Sequence, residues 1–278
     1  MSMLVSGCGK KSDIVSLAPE LTEIVIALGE GGRLQGISQL DDHTPELETF
    51  ARMGTAKVPD LAAIEAAQPK LILTTTPTPE LQALADSKGI SLLGVPVSRL
   101  DEQAEAINAI ATALGRGAEA TELNARLTAS REELTTKLAD KTRPKVLIVT
   151  GRDKSSVERV TVAAGDSLAS DLVNLAAGSN AFADKTGGDV EVSLDEIRTR
   201  APEVILELLP GMSLTDNQRQ ALYGTWNAAR DLPALSRGAI FYLTEADCLR
   251  PGPGVIDSAA TIAKTMHGNY EWDLAQGN

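Results

Sequence analysis

Apolar residues recur along this chain with two different periods, and each change of period marks an element. Residues 14–17 form a short apolar run that ends in Ala18-Pro19-Glu20, the pattern of a buried strand. Leu21, Ile24, Val25 and Leu28 then fall on one helical face, with Gly29 as a stop. Residues 34–38 predict a second strand and residues 39–44 a polar loop. A stiff loop, Thr74-Thr75-Thr76-Pro77-Thr78-Pro79, leads into a helix over 80–87, and residues 91–95 predict a further strand. Strands alternating with helices imply a parallel sheet.

Two stretches half a chain apart share one pattern. Residues 60–73 and 193–206 each open on a helix-capping residue, Asp60 or Ser193. A Leu and an Ile three apart follow (Leu61 and Ile64; Leu194 and Ile197), then a proline, Pro69 or Pro202, that ends the helix. An apolar run comes next, Leu71-Ile72-Leu73 or Val204-Ile205-Leu206. Ser193 with Glu196 spells a capping box, whereas Asp60 with Ala63 does not. A repeated helix–Pro–strand unit predicts two similar α/β lobes, and paired lobes bind something between them.

Between the lobes the alternation stops. Residues 101–140 contain no proline and are rich in Ala, Glu, Leu and Arg, with one Gly115-Arg116-Gly117 interruption. Leu123, Leu127, Leu134 and Leu138 make a narrow stripe at helical spacing. A helix over 118–139 would be about 33 Å long at 1.5 Å per residue, a strut rather than a loose linker. Past Pro144 the alternation resumes with a strand over 146–150, a helix near Leu168–Leu175, the second repeat unit, a strand over 239–243 and a last helix over 255–266. The expected division is an N-terminal segment 1–12, an α/β lobe 13–100, linking helices 101–143 and a second α/β lobe 144–278.

Composition narrows the partners. A net charge of −12 argues against nucleic acid, whose phosphates demand a basic face. No apolar run reaches the ~20 residues of a membrane span. Val5-Ser6-Gly7-Cys8 has the form of a lipobox, although only Met3-Leu4-Val5 precede it as an apolar segment. Two cysteines, Cys8 and Cys248, exclude a cysteine metal cluster.

With these elements in place, the chain resembles the helical-backbone solute-binding proteins that feed ABC importers of cobalamin, haem and ferric siderophores. The resemblance rests on four stretches in order: Ile14-Val15-Ser16-Leu17-Ala18-Pro19-Glu20-Leu21, Leu34-Gln35-Gly36-Ile37-Ser38, Asn174-Leu175-Ala176-Ala177-Gly178-Ser179-Asn180, and Leu249-Arg250-Pro251-Gly252-Pro253-Gly254. It implies an α/β fold of two Rossmann-like lobes with parallel sheets, joined by a long backbone helix. It also implies a monomeric periplasmic protein, or one lipid-anchored through Cys8 at the outer face of the cytoplasmic membrane, with no resident cofactor or metal. Its cargo would be an iron- or cobalt-containing chelate passed to a permease. Ligand contacts are expected from Pro19, Glu20, Leu40, Asp42, His43, Thr75, Thr76, Arg152, Lys154, Leu249 and Arg250, at the C-terminal ends of strands where open parallel sheets bind. The family's acidic docking residues map to Asp195 and, with Ala62 at the matching position, to Glu65 one turn later. The family's cobalamin binders use aromatic residues where this chain has Leu40, Ala56 and Thr75. One enzymatic alternative comes from Gly165-Asp166-Ser167-Leu168, which spells the nucleophile block of a lipase-like hydrolase, yet His267 lacks the acid three residues earlier.

Overall fold

In the computed structural model, which describes residues 12–42, 44–244 and 249–268, the chain divides into two units. Unit 1 comprises Met1–Leu127 with Arg250–Pro253, and unit 2 comprises Thr128–Leu249 with Gly254–Asn278.

Unit 1 begins with β1 (Ile14–Ser16) and α1 (Pro19–Ala27), followed by β2 (Leu34–Ile37) and the two-residue β3 (Ala51–Arg52). Next come α2 (Leu61–Ala67), β4 (Leu71–Thr74), α3 (Pro79–Lys88), β5 (Ser91–Gly94) and α4 (Gln103–Leu114). The strands lie in the order β3-β2-β1-β4-β5, every pair parallel. β1 is central and its alternate residues serve opposite faces. Ile14 joins Leu21, Ile24, Val25 and Leu28 of the first helical turns, with Ile107 and Ile110 of α4. Val15 joins Ile64, Ile72 and Leu81 on the other face. Pro19 starts α1 at a position whose N–H would be unpaired anyway, and Gly29 turns the chain out with φ +75°.

α5 (Gly117–Lys137) runs unbroken through the boundary between the units, as the proline-free composition predicts. Its leucine stripe divides its duties. Leu123 and Leu127 pack on the core of unit 1, while Leu134 and, just past the helix, Leu138 are buried in unit 2.

Unit 2 contains β6 (Lys145–Arg152), β7 (Arg159–Ala163), α6 (Leu168–Leu175), β8 (Ser179–Asn180), β9 (Asp189–Ser193) and α7 (Leu194–Arg200). It continues with β10 (Val204–Leu208), α8 (Asp216–Thr225), α9 (Pro233–Ser236), β11 (Ile240–Leu243) and α10 (Val255–His267). The sheet order is β11-β10-β6-β7-β9, with β8 parallel to the start of β6. β11, β10 and β6 are parallel, whereas β7 and β9 pair antiparallel. The sheet is therefore mixed where the alternation alone implied a parallel one. The chain doubles back after β6 in a tight turn, in which Asp153 Oδ1 accepts the Ser155 N–H at 2.7 Å.

The repeat is real at the level of elements. Asp60 Oδ1 caps α2 by accepting the Ala63 N–H at 3.0 Å, and Ser193 with Glu196 forms the complete capping box of α7. Both helices then leave through a non-glycine residue in the left-handed region, Gln68 at φ 50° and Ala201 at φ 46°, each directly before its proline. Proline disfavours αR in its predecessor, and a tight exit remains available in αL. The strand that follows lies beside the first strand of its own unit, β4 on β1 and β10 on β6.

Candidate functional site

Because its strands are all parallel, unit 1 gathers the loops that follow them on one edge. Ser16, Thr22, Ser38 and Asp41, all buried, form a polar network there. Asp41 Oδ2 accepts the Ser38 N–H at 2.8 Å and the Thr22 hydroxyl at 3.2 Å. Burial pushes the Asp41 carboxyl up to about 6, against the opposing pull of those hydrogen bonds and of Arg52 and Arg250. Glu20 is also raised by burial, with Arg250 acting in the opposite sense.

Arg250 reaches this edge from far along the sequence. Its guanidinium makes a bidentate pair with Asp42, at 2.7 and 2.8 Å, and donates to the Leu40 carbonyl at 3.3 Å. The loop that carries it is fixed twice more within unit 1. Gln103 Nε2 donates to the Pro251 carbonyl at 3.0 Å, and Gly252 passes so close to Glu23 that a Cβ there would fall 2.0 Å from the carboxylate. A side chain at 252 would therefore displace the Glu23 carboxylate from this loop. Pro19, Glu20, Leu40, Asp42 and Arg250 thus come together, and Thr75 and Thr76 follow β4 on the same edge. His43 and Cys8 lie outside the described residues.

Two residues of this edge escaped the sequence reading. Arg52 donates to the carbonyls of Ser38 (3.1 Å), Asp41 (3.0 Å) and Asp42 (3.2 Å), so one side chain shapes the whole 38–42 loop. Val58 is 73% exposed and Leu40 61%, on two loops joined where the Gln39 N–H donates to the Gly54 carbonyl at 2.7 Å. Gly54 sits at φ +80° and its Cβ position is filled by the Val58 carbonyl, so the turn that presents Val58 is rigid. A two-residue strand and an isolated valine carry no periodic signal, which is why neither was found.

In unit 2, Arg152 ends β6 and Lys154 follows it. Arg152, expected among the ligand contacts, has a side chain 3% exposed and engaged by partners within unit 2. Its Nε and Nη2 donate to Glu207 Oε1 at 3.1 and 2.9 Å, Nη2 also to the Leu222 carbonyl at 3.2 Å, and Nη1 to the Asp153 carbonyl at 3.0 Å. Trp226 Nε1 donates to the same Glu207 oxygen at 2.6 Å, and the guanidinium lies 5.6 Å from the Trp226 ring centroid. A buried arginine needs such compensation, and nothing in the local sequence pattern marks Glu207 as its source. Lys154 is exposed. Arg152, Lys154 and Glu207 line a largely apolar pocket of about 240 Å³ with Val149, Met212 and Leu214. Leu249 lines another, of about 270 Å³, with Thr150, Ser167 and Asp189.

The hydrolase alternative finds no support in the geometry. Ser167 caps α6, donating to the Ala164 carbonyl at 2.8 Å and accepting the Ser170 N–H at 3.2 Å, while His267 Nε2 is 2.9 Å from the Ala176 carbonyl. The acids of the two repeat helices are exposed: Asp195 pairs with Arg198 at 3.1 Å, and Glu65 with Lys88 at 2.5 Å. Among the described residues, no helix is long and apolar enough to cross a membrane.

Residues 14–246 match the family described as periplasmic binding protein. The chain belongs to that family. A vitamin B12-binding protein of Vibrio parahaemolyticus is 26% identical over 258 residues, spanning 90% of this chain and 88% of its own. In fold, this periplasmic binding protein resembles a possible iron-binding (periplasmic solute-binding) protein from Staphylococcus epidermidis, with a TM-score of 0.79 at 19% identity, covering 92% of this chain and all of the other. It also resembles the periplasmic vitamin B12 binding protein of Vibrio cholerae, with a TM-score of 0.73 at 22% identity, covering 92% of this chain and 96% of the other. Family membership places the chain among proteins that bind solutes.

Proposed function

We propose that this periplasmic binding protein captures a small iron- or cobalt-containing chelate, a ferric siderophore-like compound or cobalamin, and delivers it to the permease of an ABC importer. The observation that carries the reading is the likeness to vitamin B12-binding proteins along 90% of the chain. The loops at the C-terminal ends of the strands supply the contacts: Pro19, Glu20, Leu40, Asp42, Thr75 and Thr76 in unit 1 with Arg250, and Lys154 and Leu249 in unit 2. Leu40 and Val58, apolar and exposed on a rigid loop system, supply a face for a ligand in place of the aromatics that cobalamin binders of the family use. The protein works at the outer face of the cytoplasmic membrane, free or held by a lipid on Cys8.

The test is a thermal-shift screen of the purified chain against cyanocobalamin, haemin and a panel of ferric siderophores. A ligand present at a hundred times its Kd adds about 2.7 kcal/mol, which raises the melting temperature by roughly 5–10 °C in a chain of this size. The expected result is such a shift with at least one metal chelate and stoichiometric co-elution of its colour. No shift with any of them overturns the reading.

A further inference from the structure

The pocket of about 240 Å³ in unit 2 has apolar walls, among them Val149, Leu208, Met212, Leu214 and Leu222, and a floor of paired charges. That floor is unevenly used. Glu207 is 2% exposed, and its Oε1 accepts all three of its hydrogen bonds, two from Arg152 and one from Trp226. Its Oε2 accepts none among the described residues. Arg152, by contrast, has donated from Nε and from both terminal nitrogens. The pocket lining therefore includes an acceptor that no protein donor meets, a compensated pair of charges, and apolar surface elsewhere. A carboxylate oxygen that no protein donor meets is open to a donor from a ligand that fits the pocket, and a charge-assisted bond made there adds to binding.

We propose that this pocket receives an uncharged apolar ring or branched chain that carries an O–H or N–H donor at its inner end, the donor meeting Glu207 Oε2. The proposal rests on the reading that a chelate is the cargo, and it adds that the chelate presents such an arm to unit 2. Lys154, exposed on the pocket wall, is left to meet the polar part of the ligand that stays outside. The sum selects ligands with phenolic, alcoholic or amide donors on an apolar arm.

The test uses the whole chain and two small probes of nearly equal shape, 2-naphthol, which has the donor, and 2-methoxynaphthalene, which lacks it. Fluorescence titration should give one naphthol site, with the methoxy compound bound about tenfold or more weaker, as expected for one charge-assisted hydrogen bond. Ala221→Trp, on the exposed side of α8 that lines the pocket, should abolish naphthol binding while melting as the wild type does. If that variant does not fold, Leu214→Trp takes its place. Equal binding of the two probes, or naphthol binding that survives the plug, overturns the pocket assignment. A chelate that stabilises the wild type should bind the plugged variant at least tenfold more weakly; undiminished binding overturns the arm and leaves the cargo reading standing. If naphthol binds as expected and no chelate of the panel does, the cargo reading fails and the pocket remains a donor-selective site.

Discussion

At the scale of single residues, Asp41 is a buried acid whose titration falls in a measurable range. Its carboxyl is pushed up to about 6 by burial, so between about pH 4 and pH 6 the folded chain keeps a proton that the unfolded chain has released. Stability contributed by this group is therefore greatest at low pH and declines as pH rises to about 6, with no further change above. Glu20, raised by the same cause, acts in the same direction. The neutral variant Asp41→Asn keeps an acceptor for the Ser38 N–H and has nothing to titrate. Urea unfolding at a series of pH values should show the wild type losing, relative to this variant, on the order of 2 kcal/mol between pH 4 and pH 6.5. A constant difference across that range would mean that Asp41 titrates as it does in water. Asp42 is spent differently, on its bidentate pair with Arg250, and the two neighbouring acids thus hold the edge of unit 1 by unlike means.

At the scale of elements, the two short helices α2 and α7 are held by their ends. Each has only seven residues, too few for propensity to sustain, so capping and packing decide. Ser193→Ala removes the hydroxyl that accepts the Glu196 N–H and leaves the Ser193 N–H on the Glu196 carboxylate; it should cost about 1 kcal/mol, read as a lower melting temperature. The other end of α7 stores strain, because Ala201 is held at φ 46°, where an L side chain is disfavoured. Ala201→Gly should raise stability by roughly 0.5 kcal/mol, the relief of strain exceeding the entropy that glycine adds to the unfolded chain. A destabilised Ala201→Gly would show that the exposed methyl makes a contact worth more than the strain. These signals were written in the sequence, as Ser-x-x-Glu and as the residue before a proline. The strands β7 and β9 were also written there, as Val160 and Val162 and as Val190 and Val192 alternating with polar residues, but a reading built on βαβ alternation passed over them.

At the scale of the whole molecule, the proposed delivery depends on meeting a permease as well as a ligand. Asp195 is exposed on α7 and Glu65 on α2, the two helices of the repeat, so each unit presents an acid on its repeat helix, Glu65 one turn later than the position that matches Asp195. Rim charges steer association and fix register more than they add affinity. Asp195→Ala should accordingly leave ligand affinity unchanged while transport through the cognate importer falls, and the Asp195→Ala, Glu65→Ala double variant should fall further. Normal transport by the double variant would remove the docking role. Loss of ligand binding by Asp195→Ala alone would place that residue in the ligand site.

The sequence by itself determined the alternation of strands and helices in most of unit 1, the repeated helix–Pro–strand unit, the unbroken long helix and the resemblance to the family. The elements rest on local periodicity, caps and breakers, whose physics acts within a few residues, and the family rests on a resemblance of whole stretches. What only the tertiary structure decided is which distant groups neutralise one another. Arg250 meets Asp42 across 208 positions, and Arg152 meets Glu207 across 55. A charged side chain looks the same in sequence whether it faces a ligand or is paired and buried, because its partner is chosen by the path of the chain. Arg152 was therefore read as a ligand contact, while Glu207, with its single unused oxygen, was not read at all.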